Sequence, residues 1–145
     1  MIDESLKLEN QVCFPLYAAS RLITKLYQPI LSRWDLTYPQ YLVLLVLWEK
    51  DKRNVSDICK CLALETSTLT PLLKRLEGKG YIHRSRSATD ERNVLIELTE
   101  KGKQAQKKAK KIPAEIISNL KAPPITEADI IHLKTTLAAI INIHS

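Results

Sequence analysis

Cys13 is a candidate reactive thiol. Tyr17 follows it by four residues, so on a helix both side chains share one face and the tyrosine hydroxyl could hydrogen-bond a thiolate. A stabilised thiolate attacks a peroxide and becomes a sulfenic acid, which then condenses with another thiol. A cysteine on an apolar helical stripe is, however, more often an unreactive core residue. The spacing alone leaves both interpretations open.

The other two cysteines do not suggest a second chemistry. Cys59 and Cys61 are two residues apart, which on a helix places them about 200° apart and prevents them from pairing. We expect one to be buried and one exposed. The three histidines are far apart in the sequence and have no metal-ligand spacing relative to these cysteines. The sequence therefore predicts free thiols and no metal site.

A second candidate site consists of hydroxyl and basic residues between positions 66 and 92. In helix-turn-helix proteins, the second helix enters the major groove of DNA. Hydroxyl groups at its N-terminal end contact base edges, and basic residues behind them contact phosphates. Arg86 and Arg92 flank a predicted hairpin tip and could enter a minor groove, while Asp90 is expected to orient the turn. The alternative is a solvated charged face. The candidate DNA-binding residues are Thr66, Ser67, Thr68, Thr70, Lys74, Arg75, Arg84, Arg86, Asp90 and Arg92.

Composition limits the class of protein that can carry these sites. The chain has 145 residues, a hydrophobic content of 45% and a net charge of +6, which suit one soluble domain with a polyanionic partner. The longest apolar run, residues 41–48, is much shorter than a membrane span, and the N-terminus lacks a secretory pattern. No nucleotide loop or catalytic triad is present. We therefore expect a cytoplasmic protein that is not an enzyme and needs no cofactor.

Helical periodicity is clearest in the first half of the chain. Apolar residues from Leu6 to Leu31 recur with a helical period, and Pro15 predicts either a kink or a later helix start. Thr37 is an N-cap candidate for a buried helix from Tyr38 to Trp48. Asn54 caps a short helix to Leu62.

The second half begins with another helix and then changes period. A helix over 66–77 stops at Gly78 and Gly80, and alternating residues at 82–86 and 94–98 predict two strands joined by a turn. Thr99 caps a long helix whose start carries a solvated lysine run from 103 to 111. Thr126 caps an apolar-striped final helix.

Two short helices followed by a basic hairpin predict a mainly α winged helix-turn-helix with a two-stranded β-wing. The pieces that define it resemble the MarR transcriptional regulators over nearly the whole chain. These pieces are Val55-Ser56-Asp57-Ile58, residues 67–77, Asp90-Glu91-Arg92, and Leu98-Thr99-Glu100-Lys101-Gly102. The resemblance implies a single domain, 1–145, in which 35–102 bind DNA and the helices of 1–34 and 103–145 form a homodimer.

A narrower resemblance lies upstream of the helix-turn-helix. Residues 8–14, Tyr17, Tyr27 and residues 36–41 are similar to the organic-hydroperoxide-sensing branch, the OhrR-type repressors. This resemblance implies that Cys13 is the sensor and that Tyr27 and Tyr38 reach it from the partner subunit. Because no cysteine follows position 61, the matching class has a single sensor cysteine resolved by a small thiol.

The sequence therefore predicts a homodimeric transcriptional repressor that binds a double-stranded DNA operator and releases it when an organic hydroperoxide oxidises Cys13. One alternative is a MarR-type repressor released by a small aromatic ligand. Another is a nonspecific architectural DNA-binding protein.

Overall fold

A computed structural model describes residues 1–90, 93–122 and 124–144, which form two compact units, Met1–Tyr38 and Pro39–Ser145. The described helices are α1 (Cys13–Leu31), α2 (Tyr38–Glu49), α3 (Val55–Leu62), α4 (Thr66–Gly78), α5 (Glu100–Ala109), α6 (Ile112–Leu120) and α7 (Glu127–His144). The described strands are β1 (Arg53–Asn54), β2 (Ile82–Arg86) and β3 (Val94–Leu98). This architecture confirms the predicted mainly α fold with a small β-wing. None of the helices in the described ranges is long and apolar enough to cross a membrane.

The first unit consists of two short 3₁₀ turns, helix α1 and a closing 3₁₀ turn. The turns, Glu4–Leu6 and Leu8–Asn10, are held by the Gln11 side chain, whose Nε2 donates to the carbonyl of Ser5 at 2.6 Å. Helix α1 begins at Cys13, so Pro15 lies in its first turn, where a missing N–H leaves no intrahelical bond unmade. Of the two predicted effects of Pro15, the structure shows the later start.

The second unit places a helix-turn-helix beside a sheet. Asn54 caps α3 by accepting a hydrogen bond from the Asp57 amide at 2.8 Å, and Ala63 ends α3 in the left-handed region at φ 50°. Helix α4 begins three residues later and ends at Gly78. Gly80 turns the chain into β2 at φ 76°, a conformation that favours glycine. These bounds confirm the predicted pair of short helices.

The sheet has three antiparallel strands in the order β1-β3-β2, not the two strands predicted. β2 pairs with β3 from Ile82↔Leu98 to Arg86↔Val94, and β1 adds the pair Arg53↔Ile96 on the other side of β3. A two-residue strand is too short to show alternation, so its pairing depends on tertiary contact.

The predicted long helix after Thr99 is also corrected, because it is divided into α5 and α6. Lys110 and Lys111 separate the two helices, and Pro113 lies in the first turn of α6. Proline restricts the residue before it and disfavours a continuous helix through this point. The lysines of the run 103–111 are exposed, as a solvated face requires.

Helix α7 begins with the predicted capping box. The Asp129 carboxylate accepts from the Thr126 amide at 2.8 Å, and the Thr126 hydroxyl accepts from the Asp129 amide at 3.3 Å. The helix buries none of its residues within the chain, although it carries several large apolar side chains. The exposed ones are Ile131, Leu133, Ile140, Ile141 and Ile143.

Candidate functional site

Cys13 is the first residue of α1, and its side chain is exposed. Its neighbours Phe14, Leu16 and Tyr17 are also exposed, so the thiol lies on an apolar surface of the first unit and not in a core. This position excludes the interpretation of Cys13 as a buried structural cysteine within the single chain. The exposed position leaves the Cys13 sulfur accessible to a small oxidant.

Tyr17 lies one turn after Cys13, but its side chain contacts a residue on the side away from Cys13. The Arg21 guanidinium lies 5.4 Å from the centre of the Tyr17 ring, a cation–π contact one further turn along α1. In the described part of the chain, no hydrogen bond joins Tyr17 to Cys13. The predicted bond between the tyrosine hydroxyl and the sulfur therefore stays a prediction.

Tyr27 and Tyr38, the other two predicted sensor residues, are close together. Their ring centres are 4.5 Å apart at an interplanar angle of 45°. Burial raises the pKa of the Tyr38 hydroxyl above its ordinary value, and a hydrogen bond from the Tyr27 side chain partly offsets this shift. The Tyr38 hydroxyl is therefore neutral near neutral pH and hydrogen-bonded to Tyr27.

The geometry of α1 separates this tyrosine pair from Cys13. Tyr27 follows Cys13 by 14 residues on this helix, which corresponds to about 21 Å along the axis. One chain thus carries the four predicted sensor residues as two pairs. Cys13 and Tyr17 lie at the start of α1, and Tyr27, towards the end of α1, packs against Tyr38 at the start of α2. Within one chain, the four residues do not form a single site.

The predicted DNA-binding residues of α4 occupy its exposed side. Thr66, Ser67 and Thr68 form the exposed first turn, and Leu69, Leu73 and Leu76 anchor the opposite side. The Thr70 hydroxyl is half-buried and donates to the Thr66 carbonyl at 2.8 Å, so its hydrogen is used inside the helix. Lys74 and Arg75 are exposed on the following turn.

A groove of about 260 Å³ lies between the helix-turn-helix and the wing. Two hydroxyl residues of α4, Thr66 and Thr70, line it together with Ser56 of α3 and Asn93 of the wing. Ser56 and Asn93 are functional candidates that the sequence analysis missed. The position of Ser56 in the first turn of α3 was a usable signal, but the position of Asn93 depends on the hairpin register.

The basic residues of the wing have different surroundings. Arg86 is exposed at the end of β2, whereas Arg84 is half-buried and paired with Glu77 of α4. Asp90 accepts hydrogen bonds from Asn93 through its carbonyl at 3.0 Å and its carboxylate at 3.3 Å, the contacts of a residue that orients a turn. Arg92 lies outside the described residues.

All three cysteines are free, and the expectation that one of Cys59 and Cys61 is buried is wrong. Cys59 is half-buried, with its sulfur 3.8 Å from the Thr66 hydroxyl oxygen, and the exposed Cys61 accepts from Arg53 Nη1 at 3.3 Å. Helix α3 is only eight residues long and buries Ile58 alone, so its other faces remain outside the core. Across 1–90, 93–122 and 124–144, no three His, Cys, Asp or Glu side chains converge as metal ligands.

Comparison with known proteins identifies the family. The family model described as transcriptional regulator SarA/Rot matches residues 25–110. The organic hydroperoxide resistance transcriptional regulator of Bacillus subtilis is 52% identical over 114 residues, covering 79% of this chain and 78% of that protein. The transcriptional regulator SarZ of Staphylococcus saprophyticus is 40% identical over 144 residues, covering 99% and 97%.

Solved structures show the same fold. Reduced AbfR bound to DNA is 38% identical with a TM-score of 0.73, covering 97% of this chain and 99% of that one. AbfR, a Staphylococcus epidermidis protein, has also been solved overoxidised on DNA and in a disulfide form. The repressor CouR bound to a DNA duplex is 26% identical with a TM-score of 0.81, covering 97% and 99%.

These findings confirm the resemblance to the MarR regulators and to their organic-hydroperoxide-sensing branch. The matched family and relatives are regulators of transcription and not enzymes. The family model covers more than half of the chain, and the SarZ relative covers almost all of it. The chain therefore belongs to the SarA/Rot family of transcriptional regulators and has the winged-helix fold of the MarR regulators.

Proposed function

We propose that this chain is a homodimeric repressor that binds operator DNA and releases it when an organic hydroperoxide oxidises Cys13. The observation that carries the redox part is the exposed Cys13 thiol at the start of α1, surrounded by exposed apolar side chains. An apolar surface suits an alkyl hydroperoxide better than hydrogen peroxide. The name of the Bacillus subtilis relative supports the same class of signal.

The proposed chemistry has two balanced steps. The Cys13 thiolate attacks the terminal oxygen of the hydroperoxide, the O–O bond breaks, and the alkoxide takes a proton from solvent to leave as an alcohol. Cys13 then carries a sulfenic acid. A small thiol attacks that sulfur, water leaves, and a mixed disulfide forms.

The DNA-binding part of the proposal depends on α4 and the wing. Hydroxyl groups in the first turn of α4 would read base edges, and the exposed Lys74, Arg75 and Arg86 would hold phosphates. Operator DNA is a polyanion, which agrees with the net charge of +6. Structures of AbfR and CouR on DNA support this interpretation.

The proposed dimer uses the segments 1–34 and 103–145, while 35–102 contact DNA. Helix α7 exposes a row of large apolar side chains, and a second copy of the chain would cover them. The resemblance to the OhrR-type repressors implies that this dimer brings Cys13 and Tyr17 of one chain towards Tyr27 and Tyr38 of the other. Three free cysteines suit a reducing compartment, so we place the protein in the cytoplasm.

The test compares the wild type, Cys13→Ser, and a Cys59→Ser/Cys61→Ser control on one DNA duplex. The duplex is selected from a randomised library by the reduced wild-type protein. After cumene hydroperoxide and a small thiol are added, we expect the wild type and the control to dissociate. Cys13→Ser should bind equally well before oxidation and stay bound afterwards.

Release of Cys13→Ser together with retention of the control would place the sensor in α3 and refute the proposal for Cys13. Intact-mass measurement of the same samples should show the thiol adduct on the wild type and its absence from Cys13→Ser.

A ligand-gated repressor is the second candidate. A cavity of about 270 Å³ between α2, α5 and α6 is lined by the aromatic rings of Tyr41 and Trp48, with Leu45 and Ala109 beside them. Such a cavity would accept a small aromatic molecule. If this candidate is correct, Cys13→Ser keeps its response to the inducing ligand and the wild type ignores the hydroperoxide.

A further inference from the structure

Glu77 makes two contacts with one residue of the wing. Its Oε1 accepts a hydrogen bond from the Arg84 backbone amide at 3.0 Å, and its Oε2 accepts from Arg84 Nε at 2.7 Å. The two side chains are 32% and 28% exposed, so the pair is only partly screened by water. One carboxylate therefore holds both the main chain and the side chain of Arg84.

These contacts connect two elements of the proposed DNA-binding surface. Glu77 is the penultimate residue of α4, and Arg84 is the central residue of β2. Arg84 pairs with Ile96 of β3, which is fully buried, so the pair ties α4 to the fixed centre of the hairpin. Arg86 lies two residues further along β2 and on the same face.

The turn between α4 and β2 is also held by a contact from α5. The Lys101 ammonium of α5 donates to the carbonyl of Lys79 at 2.7 Å and lies 4.4 Å from the centre of the Tyr81 ring. The Gly80 and Tyr81 amides hold the turn itself by donating to the carbonyls of α4 at 2.8 and 3.0 Å. The Glu77–Arg84 pair adds a contact between α4 and the centre of β2, beyond the turn.

We propose that Glu77 is a positioning residue for DNA binding, which fixes the wing against α4 through Arg84. The inference rests on the proposed DNA-binding function. It also gives Arg84 a different role from Arg86: Arg84 orients the wing, and Arg86 contacts phosphate.

The direction in which one substitution changes DNA affinity distinguishes a positioning role of Glu77 from a purely electrostatic one. Glu77→Gln removes a negative charge near a polyanion, which by itself should strengthen DNA binding. If Glu77 positions the wing, the same substitution should weaken binding, roughly five-fold, because loss of the charged pair lets β2 move. The slope of log Kd against log salt should also fall by about one as Arg86 leaves its phosphate.

Two matched variants complete the test. Glu65→Gln removes the same charge from an exposed residue at the other end of α4, whose side chain makes no cap bond, and should bind DNA at least as tightly as the wild type. Arg84→Lys keeps the positive charge but loses the planar Nε contact, so it should weaken binding as Glu77→Gln does. Preserved binding by Arg84→Lys would identify Arg84 as a simple phosphate contact and overturn the proposal.

All variants are measured on the duplex selected by the wild-type protein, and circular dichroism checks that each is folded. If Glu77→Gln binds as tightly as Glu65→Gln, the positioning role is refuted while the proposed function stands. If the wild type itself shows no preference for its selected duplex over competitor DNA, the proposed function fails and the inference fails with it.

Discussion

At the scale of single residues, the surroundings of a side chain decide its role more than its type does. Arg84 and Arg86 are two residues apart on one strand, yet one is paired with Glu77 and the other is exposed. The Arg84 side chain holds the pKa of the Glu77 carboxyl below its usual value, through a hydrogen bond that favours the charged form. The two residues are of the same type, and only their contacts in the folded chain distinguish their roles.

Gly102 shows the same dependence on surroundings. A Cβ at this position would lie 2.2 Å from the Tyr81 carbonyl oxygen, because α5 passes directly against the start of β2. Gly102→Ala should therefore lower the free energy of unfolding by about 1–3 kcal/mol, even though alanine is the better helix former. Urea unfolding measures the change.

Gly78→Ala is the matched control, since a Cβ there would have no neighbouring atom within 4 Å. This variant should leave stability unchanged or raise it by up to about 1 kcal/mol. Equal losses of stability in the two variants would mean that the close approach at Gly102 is not the cause.

At the scale of elements, short polar caps define where the helices of the DNA-binding unit begin. Asn54 caps α3 and Thr99 caps α5, the latter by accepting from the Gly102 amide at 3.1 Å. The Trp48 indole also donates to the Gly102 carbonyl at 2.9 Å, which ties α2 to the first turn of α5. Caps thus fix the helix starts, and side-chain bonds such as that of Trp48 join one helix to another.

The cap of α3 can be tested by substitution. Asn54→Ala removes the acceptor for the Asp57 amide and should lower the free energy of unfolding by about 1 kcal/mol. Asn54→Asp keeps an acceptor oxygen at the same place and should retain most of the stability. A thermal or urea unfolding series measures both, and equal losses in the two variants would argue against the cap.

At the scale of the whole molecule, the chain leaves a large apolar surface uncovered. Helix α7 buries none of its residues, and Leu133 and Ile140, seven residues apart, lie on the same side of it. Exposed apolar rows of this kind mark surfaces that another chain covers. The proposed assignment of 103–145 to a homodimer depends on this surface.

We expect Ile140→Glu to weaken the dimer. A carboxylate in an apolar interface has no partner, so the dimer dissociation constant should rise about 10-fold or more. Asn142→Glu adds the same charge roughly 200° around the helix and should leave the dimer intact. Analytical ultracentrifugation over a range of protein concentrations compares the two variants, and an unchanged dimer in Ile140→Glu would exclude this face of α7 from the interface.

The sequence by itself determined the local elements of this protein. Caps at Asn54, Thr99 and Thr126, the glycines after α4, and the change from helical to alternating period located helices and strands nearly where the structure has them. These signals are local, because each depends on hydrogen bonds or steric limits within a few residues. These local signals, together with the resemblance to known regulators, predicted the helix-turn-helix and identified Cys13 as the candidate sensor.

Tertiary structure decided the features that depend on distant residues. The third strand Arg53–Asn54 forms only because β3 offers it a free edge, and Arg84 turns towards Glu77 only because the chain reverses at Gly80. Likewise, Tyr27 of α1 packs against Tyr38 of α2, with their ring centres 4.5 Å apart. Pairing partners and burial are properties of the folded chain, so no local pattern could have supplied them.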